Sequence, residues 1–129
     1  MNSLLPIRIL FTVGGLYDGL LGLAFLAFGP RIYAWMGITP PNHWGYIHFP
    51  AGVLVIFGIM FLAIAARPVE NRNLIFYGVL LKACYVGTVA WHATHGGIPP
   101  MWTYFAWADA VFAVLFVWSM MRLRTAQAT

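Results

Sequence analysis

The sequence predicts an all-α membrane protein, a single domain built as a bundle of four transmembrane helices. Two features of the composition support this: 62% of the 129 residues are hydrophobic, and only 8% are charged. A soluble domain usually carries about a quarter charged residues, so this chain has too few to cover an aqueous surface. The third observation is that the apolar residues form four long runs, with most charges at the ends of the runs. We therefore expect the lipid bilayer to be the solvent and the first partner of the chain.

Each run is long enough to cross the hydrocarbon core as a helix, which takes about 20 residues. The predicted helices cover residues 9–28, 44–66, 74–92 and 101–121 of one domain, 1–129. Helix-ending residues follow the four runs in order: Gly29-Pro30, Arg67-Pro68, Gly96-Gly97, and Arg122 with Arg124. The first run also has the form of a signal peptide, but Asp18 in its middle is unusual for one and predicts a retained helix.

The basic residues set the predicted orientation, because Lys and Arg are enriched in cytoplasmic loops. Five arginines fall on one side of the bundle and Arg31 alone on the other: Arg8, Arg67, Arg72, Arg122 and Arg124. We therefore expect both termini in the cytoplasm, with loops 29–43 and 93–100 on the outer side of the membrane. The net charge of +4 belongs to these membrane-flanking positions, so no nucleic-acid partner is expected.

Three ionisable residues are predicted to lie deep in the membrane, namely Asp18, Lys82 and Asp109. An ionised group there costs about 2.5–3.5 kcal/mol, so an unpaired one is unfavourable. Counted along their helices, the three lie within roughly 5 Å of one depth and can meet as a buried charge cluster. Two interpretations stay open. The cluster is a structural pin that fixes helix register, or it is a proton or ion site, similar to the intramembrane carboxylate in the first helix of small four-helix multidrug transporters.

All four histidines, His43, His48, His92 and His95, are predicted at the outer end of the bundle. His48 and His92 come from different helices, so opposing imidazoles could ligate a metal ion or the iron of a non-covalent haem b. The alternative is that these interfacial histidines hydrogen-bond to loop carbonyls.

Tyr85 lies on the same helical stripe as Lys82 and His92, and the three trace a polar line from the middle of the membrane outward. Such a line could conduct protons or bind the head of a quinone. The competing interpretation is that the many aromatic residues serve packing and interface anchoring.

No enzyme signature is present: the chain has no nucleophile elbow, phosphate-binding glycine loop or paired histidine motif of a zinc hydrolase. Its single cysteine, Cys84, can form neither an internal disulfide nor a thiolate metal site. We therefore expect a non-enzymatic accessory or scaffold protein that associates with itself or with a larger membrane complex. A redox protein with haem b or quinone, and a proton-coupled transporter that uses Asp18, are the alternatives.

An opening helix with Arg8 and the glycine-rich face around Gly15 and Gly19, a short aromatic outer loop and three further helices complete the architecture. In these respects the whole chain resembles the DoxX-like group of small bacterial four-helix membrane proteins. The resemblance implies a connection to redox or quinone chemistry.

Overall fold

The computed structural model describes residues 4–128, with side chains up to residue 125. Four helices account for most of this part of the chain, and it contains no strand: α1 (Leu5–Trp35), α2 (Gly45–Ala66), α3 (Ile75–Thr94) and α4 (Pro100–Ala128). A short 3-10 turn, Arg72–Leu74, precedes α3. All four helices are long and apolar enough to cross a membrane, which confirms the prediction of an all-α chain with four such helices.

The first helix is longer than the sequence predicts. It begins at Leu5, and instead of ending at Phe28 it bends there and continues to Trp35. The bend is local: Phe28 has φ −131° and ψ 19°. Pro30, inside the helix, has no N–H to donate, and its ring clashes with the carbonyl four residues earlier. The Gly29-Pro30 pair therefore marks a kink in α1, whereas Pro68 does lie beyond the end of α2. The predicted end of the fourth helix is also wrong: α4 continues through Arg122 and Arg124 to Ala128, because arginine favours a helix.

The backbones of α1 and α2 touch at glycines. A Cβ atom placed on Gly22 would lie 2.5 Å from the carbonyl oxygen of Ala51, and one on Gly58 would lie 2.8 Å from that of Gly15. No real side chain tolerates such distances, so these positions require glycine. Small residues allow this kind of close approach between membrane helices.

Two clusters of buried side chains divide the bundle into halves. The terminal half is organised by the cluster of Ile7, Phe11, Phe61, Ile64, Ala65, Ile75, Phe116 and Leu123, which we call the terminal core. The distal half is organised by Phe25, Tyr33, Ala51 and Met101. The clusters show that the start of α1, the α2–α3 turn and the last part of α4 share one end of the bundle. The α1–α2 and α3–α4 loops share the other.

The outside of the bundle is covered by exposed apolar side chains. Leu20, Ile56 and Val114 are each more than 60% exposed, as are many other large hydrophobic residues. A water-soluble monomer does not present such a surface continuously. The helices thus have a surface suited to lipid.

Candidate functional site

The three intramembrane charges form one buried cluster. Lys82 Nζ donates hydrogen bonds to Asp18 Oδ1 at 2.7 Å and to Asp109 Oδ1 at 2.9 Å. The Lys82 side chain is 0% exposed, that of Asp18 1% and that of Asp109 9%. The cluster therefore ties α3 to both α1 and α4 where the two halves of the bundle meet.

Aromatic rings surround the ammonium group. Lys82 Nζ lies 5.2 Å from the centroid of Phe112, 5.5 Å from that of Tyr17 and 5.8 Å from that of Phe61. The electron-rich face of an aromatic ring attracts a cation at such distances. Together with the two carboxylates, these rings hold the ammonium at a single place.

The cluster is unbalanced in charge and in hydrogen bonding. Two carboxylates face one ammonium, so the group carries one excess negative charge or one bound proton. The second oxygen of Asp18, Oδ2, is buried and has no hydrogen-bond partner among residues 4–125. A buried acceptor without a partner is unfavourable. Among the buried side-chain nitrogen and oxygen atoms of the described part of the chain, this oxygen is the one without a partner.

A cavity of about 460 Å³ lies next to the cluster in the distal half. All four helices contribute to its walls: Tyr17, Asp18, Leu21, Phe25, Ile47, Phe49, Pro50, Ala51, Val53, Leu54, Leu81, Cys84, Tyr85, Thr88, Trp102, Phe105 and Asp109. By their positions along the helices, Asp18 and Asp109 border the end nearest the middle of the bundle, and Phe25 and Trp102 border the distal end. We call this space the distal cavity.

The distal cavity opens sideways between α2 and α3. These two helices make few contacts with each other; they touch in the terminal half, where the ring of Phe61 packs against Gly78. Phe49 on α2 and Cys84 and Thr88 on α3 line the cavity and are also exposed on the surface. The opening therefore faces the same surroundings as the lipid-suited outside of the helices.

The terminal core closes the opposite side of the charged cluster. Phe11, Phe61 and Phe116 are 0% exposed. The rings of Phe11 and Phe116 stack at 4.6 Å, and Phe61 lies 5.0 Å from Phe116. Access to the carboxylates is consequently available from the distal half and blocked by aromatic packing from the terminal half.

The four histidines lie outside the distal cavity. His43, His48, His92 and His95 are all exposed, and none belongs to the cavity wall. His43 Nδ1 accepts a hydrogen bond from the backbone N–H of Gly45 at 3.0 Å, and His95 stacks on Trp91 at 3.9 Å. Within the described residues, no three His, Cys, Asp or Glu side chains come together in a way that could hold a metal ion.

Tyr85 and Tyr17 bring phenol groups to the cavity wall. The Tyr85 hydroxyl donates to the backbone carbonyl of Trp102 at 3.0 Å, which fixes the ring between α3 and α4. Sequence reasoning singled out Tyr85 but missed Tyr17. The signal was present in the four-residue spacing of Tyr17, Leu21 and Phe25, which defines a second inward face of α1 beside that of Asp18.

Comparison of the chain with protein-family models, curated proteins and solved structures finds no match. The grounds for its function are therefore the charged cluster, the distal cavity and their surroundings.

Proposed function

We propose that the protein is a non-enzymatic accessory protein of the bacterial inner membrane that binds a small lipophilic molecule in the distal cavity. It acts in association with itself or with a larger membrane complex. The observation that carries the proposal is the distal cavity itself, an apolar space bordered by two buried carboxylates.

The size and lining of the distal cavity support binding. Protein interiors are normally close-packed, and ligand sites are clefts of about 300–1,000 Å³ with mostly apolar walls and a few polar groups. A volume of about 460 Å³ falls in that range. The carboxylates of Asp18 and Asp109 and the phenols of Tyr17 and Tyr85 are the polar groups that would orient a guest.

A purely structural role, in which the charged cluster only fixes the register of the helices as a structural pin, accounts less well for the same geometry. A pin is most stable when every charge is paired and packed on all sides, because a buried charge without compensation is costly. Here the aromatic terminal core covers only one side of the cluster, and both aspartates border the distal cavity on the other side. The buried Asp18 Oδ2 has no hydrogen-bond partner within the described residues. The cluster also fixes the helices, but both of its carboxylate residues border the distal cavity, where a guest would meet them.

The orientation proposed for the bundle has both termini in the cytoplasm. The arginines that flank the helices support it, since they gather at the terminal end. In this orientation the distal cavity opens in the outer half of the membrane.

Cys84 provides a direct test, because it is the only cysteine of the chain and lines the distal cavity. The purified protein in proteoliposomes is treated with methyl methanethiosulfonate, a small neutral thiol reagent, and modification is followed by intact mass. We expect n-decanol, a neutral probe small enough for the cavity, to slow the modification of Cys84 in a saturable manner, because both molecules need the same space.

The control moves the thiol to the lipid-facing side of α2. In the double variant Cys84→Ser with Ile56→Cys, the thiol replaces a side chain that is 64% exposed and outside the cavity wall. Decanol should leave its rate of modification unchanged. Equal effects of decanol on both thiols would mean that the probe acts through the bilayer, and the proposal would then be abandoned.

Proton-coupled transport is a second candidate, favoured by two buried aspartates that border a cavity closed on the terminal side. Two hydrogen-bonded carboxylates hold Lys82 at the cluster, which opposes a free exchange of protons at Asp18. The transport hypothesis is tested by measuring the proton flux into proteoliposomes that is driven by a membrane potential. Flux in the wild type that Asp18→Asn abolishes would establish transport.

The redox alternative is less well supported. A haem needs axial ligands that face each other across its plane, whereas the cavity wall contains no histidine and both His48 and His92 are exposed. The aromatic walls would accept the flat ring of a quinone, and the Tyr17 hydroxyl could donate to one of its carbonyls. The two carboxylates that border the cavity are acceptors when ionised and do not suit a quinone carbonyl.

A further inference from the structure

We propose that the guest of the distal cavity is a monovalent organic cation, an amphipathic amine whose protonated head pairs with Asp18 Oδ2. This inference rests on the proposed function, since it identifies the chemical class of the molecule bound there. The apolar body of the amine lies along the cavity walls, toward Phe25 and Trp102.

Charge is the first argument. With Lys82 protonated and both aspartates ionised, the cluster has one negative charge in excess. A guest of charge +1 brings the group to neutrality, whereas an anion meets repulsion in a surrounding of low polarity. The described part of α1–α4 offers no second cation near the carboxylates, since Lys82 is the only lysine of the chain and every arginine lies at a helix end or in a loop.

Hydrogen bonding is the second argument. Lys82 donates to the Oδ1 atoms of both aspartates, and the hydroxyl of Tyr85 donates to a backbone carbonyl. Within the described residues, the buried acceptor Asp18 Oδ2 therefore remains without a donor at the middle of the bundle. An ammonium head supplies the missing donor, and a bond between two charged groups is stronger than a neutral one.

Aromatic rings are the third argument. Phe25, Trp102 and Phe105 form a group on the cavity wall, with Phe25 stacked on Trp102 at 6.0 Å and lying edge-on to Phe105 at 6.3 Å. Together with Tyr17 near the carboxylates, they offer polarisable faces to an organic cation and its apolar body. A hard metal cation, by contrast, requires about six oxygen ligands, and no suitable group of side chains exists within residues 4–125.

The experiment compares three probes of equal chain length in the Cys84 assay: n-decylamine, n-decanol and n-decanoate, at pH 6.5. The thiol reagent is neutral and does not react with amines, so only occupancy of the cavity changes the rate. We expect decylamine to protect Cys84 at a concentration about tenfold lower than decanol does, the increment of one charge-assisted hydrogen bond. Decanoate should protect least.

The variant Asp18→Asn assigns the difference to one carboxylate. Lys82 keeps Asp109 as a partner in this variant, so the cluster loses its excess charge and its remaining two charges stay paired. Decylamine should then protect no better than decanol, while saturable protection by decanol persists and shows that the cavity is intact. Glu70→Gln, which removes an exposed carboxylate of the α2–α3 turn, is the matched control and should preserve the full tenfold difference.

The outcomes separate this inference from the function on which it rests. If no probe protects Cys84, the distal cavity is not a binding site and both proposals fail. If decanol protects as well as decylamine, or Asp18→Asn keeps the preference for the amine, binding stands and the assignment of an organic cation is overturned.

Discussion

The terminal and distal halves of the bundle are built from the same kinds of side chain but pack differently. In the terminal half, Phe11 and Phe116 stack at 4.6 Å and are fully buried. In the distal half, Phe25 and Phe105 have ring centroids 6.3 Å apart and border a cavity of about 460 Å³. The charged cluster lies between a close-packed region and an open one.

This difference shows that apolar composition does not determine packing in a bilayer. Lipid tails are as apolar as leucine, so no hydrophobic force closes a gap between two membrane helices. Close contact instead requires complementary shapes, as at Gly22 and Gly58. Gly52 on α2 and Gly87 on α3, in the distal half, have no neighbour within 4 Å of an added Cβ. The cavity remains where no such contact joins α2 to α3.

The largest predicted effect concerns Lys82, at the boundary between the halves. Lys82→Met leaves two carboxylates buried without a cation and should lower the free energy of unfolding by about 3–5 kcal/mol. This loss of free energy is measured by unfolding the protein in sodium dodecyl sulfate. Asp109→Asn is the matched control, because it leaves Asp18 and Lys82 as a neutral pair and should cost about 1 kcal/mol or less. Equal losses from the two variants would contradict the excess of negative charge.

A smaller predicted effect compares the packing of the two halves directly. Phe61→Ala opens a void in the terminal core and should cost about 3 kcal/mol, because the surrounding rings cannot collapse into it. Phe105→Ala removes the same group beside the distal cavity, where a void already exists, and should cost roughly half as much. Both are measured by the same unfolding assay. If Phe105→Ala were the more damaging change, the distal half would be the tighter one.

The third effect tests the glycine contact between α1 and α2. Gly58→Ala places a methyl group 2.8 Å from the carbonyl oxygen of Gly15, so the helices must separate, at a cost of roughly 1–3 kcal/mol. Gly52→Ala, on the same helix, meets no atom within 4 Å and should be neutral or slightly stabilising, because alanine favours the helix. A destabilisation as large as that of Gly58→Ala would indicate a neighbour at Gly52.

The fold followed from the sequence because hydropathy reports the length and number of apolar helices. The boundaries of α2 and α3 lie within two residues of those predicted, since Arg67-Pro68 and Gly96 end these helices. The end of α1 could not be predicted from the sequence, because a Gly-Pro pair such as Gly29-Pro30 can either end a helix or only kink it. Tertiary contacts decide which: Tyr33, beyond the kink, is buried against Trp44 at 5.1 Å.

The contact among Asp18, Lys82 and Asp109 could be anticipated from helical geometry, because depth and face follow from residue counting. The distal cavity could not be anticipated from the sequence, because hydropathy does not report how closely two apolar helices approach each other. The histidines illustrate the same limit: depth placed His48 and His92 at one end of the bundle, but the rotation of each helix leaves both side chains exposed.

The smallest predicted effect concerns these histidines and bears on where activity lies in the distal half. His48→Ala and His92→Ala each remove an exposed side chain that is not part of the cavity wall, so each should change the free energy of unfolding by less than about 0.5 kcal/mol. Protection of Cys84 by decanol should also be unchanged in both, because the carboxylates and aromatic walls remain. A loss of protection in either variant, or a Soret absorbance band in the wild type that both variants abolish, would move the binding site from the distal cavity to the surface that carries His48 and His92. The distal half would then function through its outer surface, and the open packing between α2 and α3 would need a different explanation.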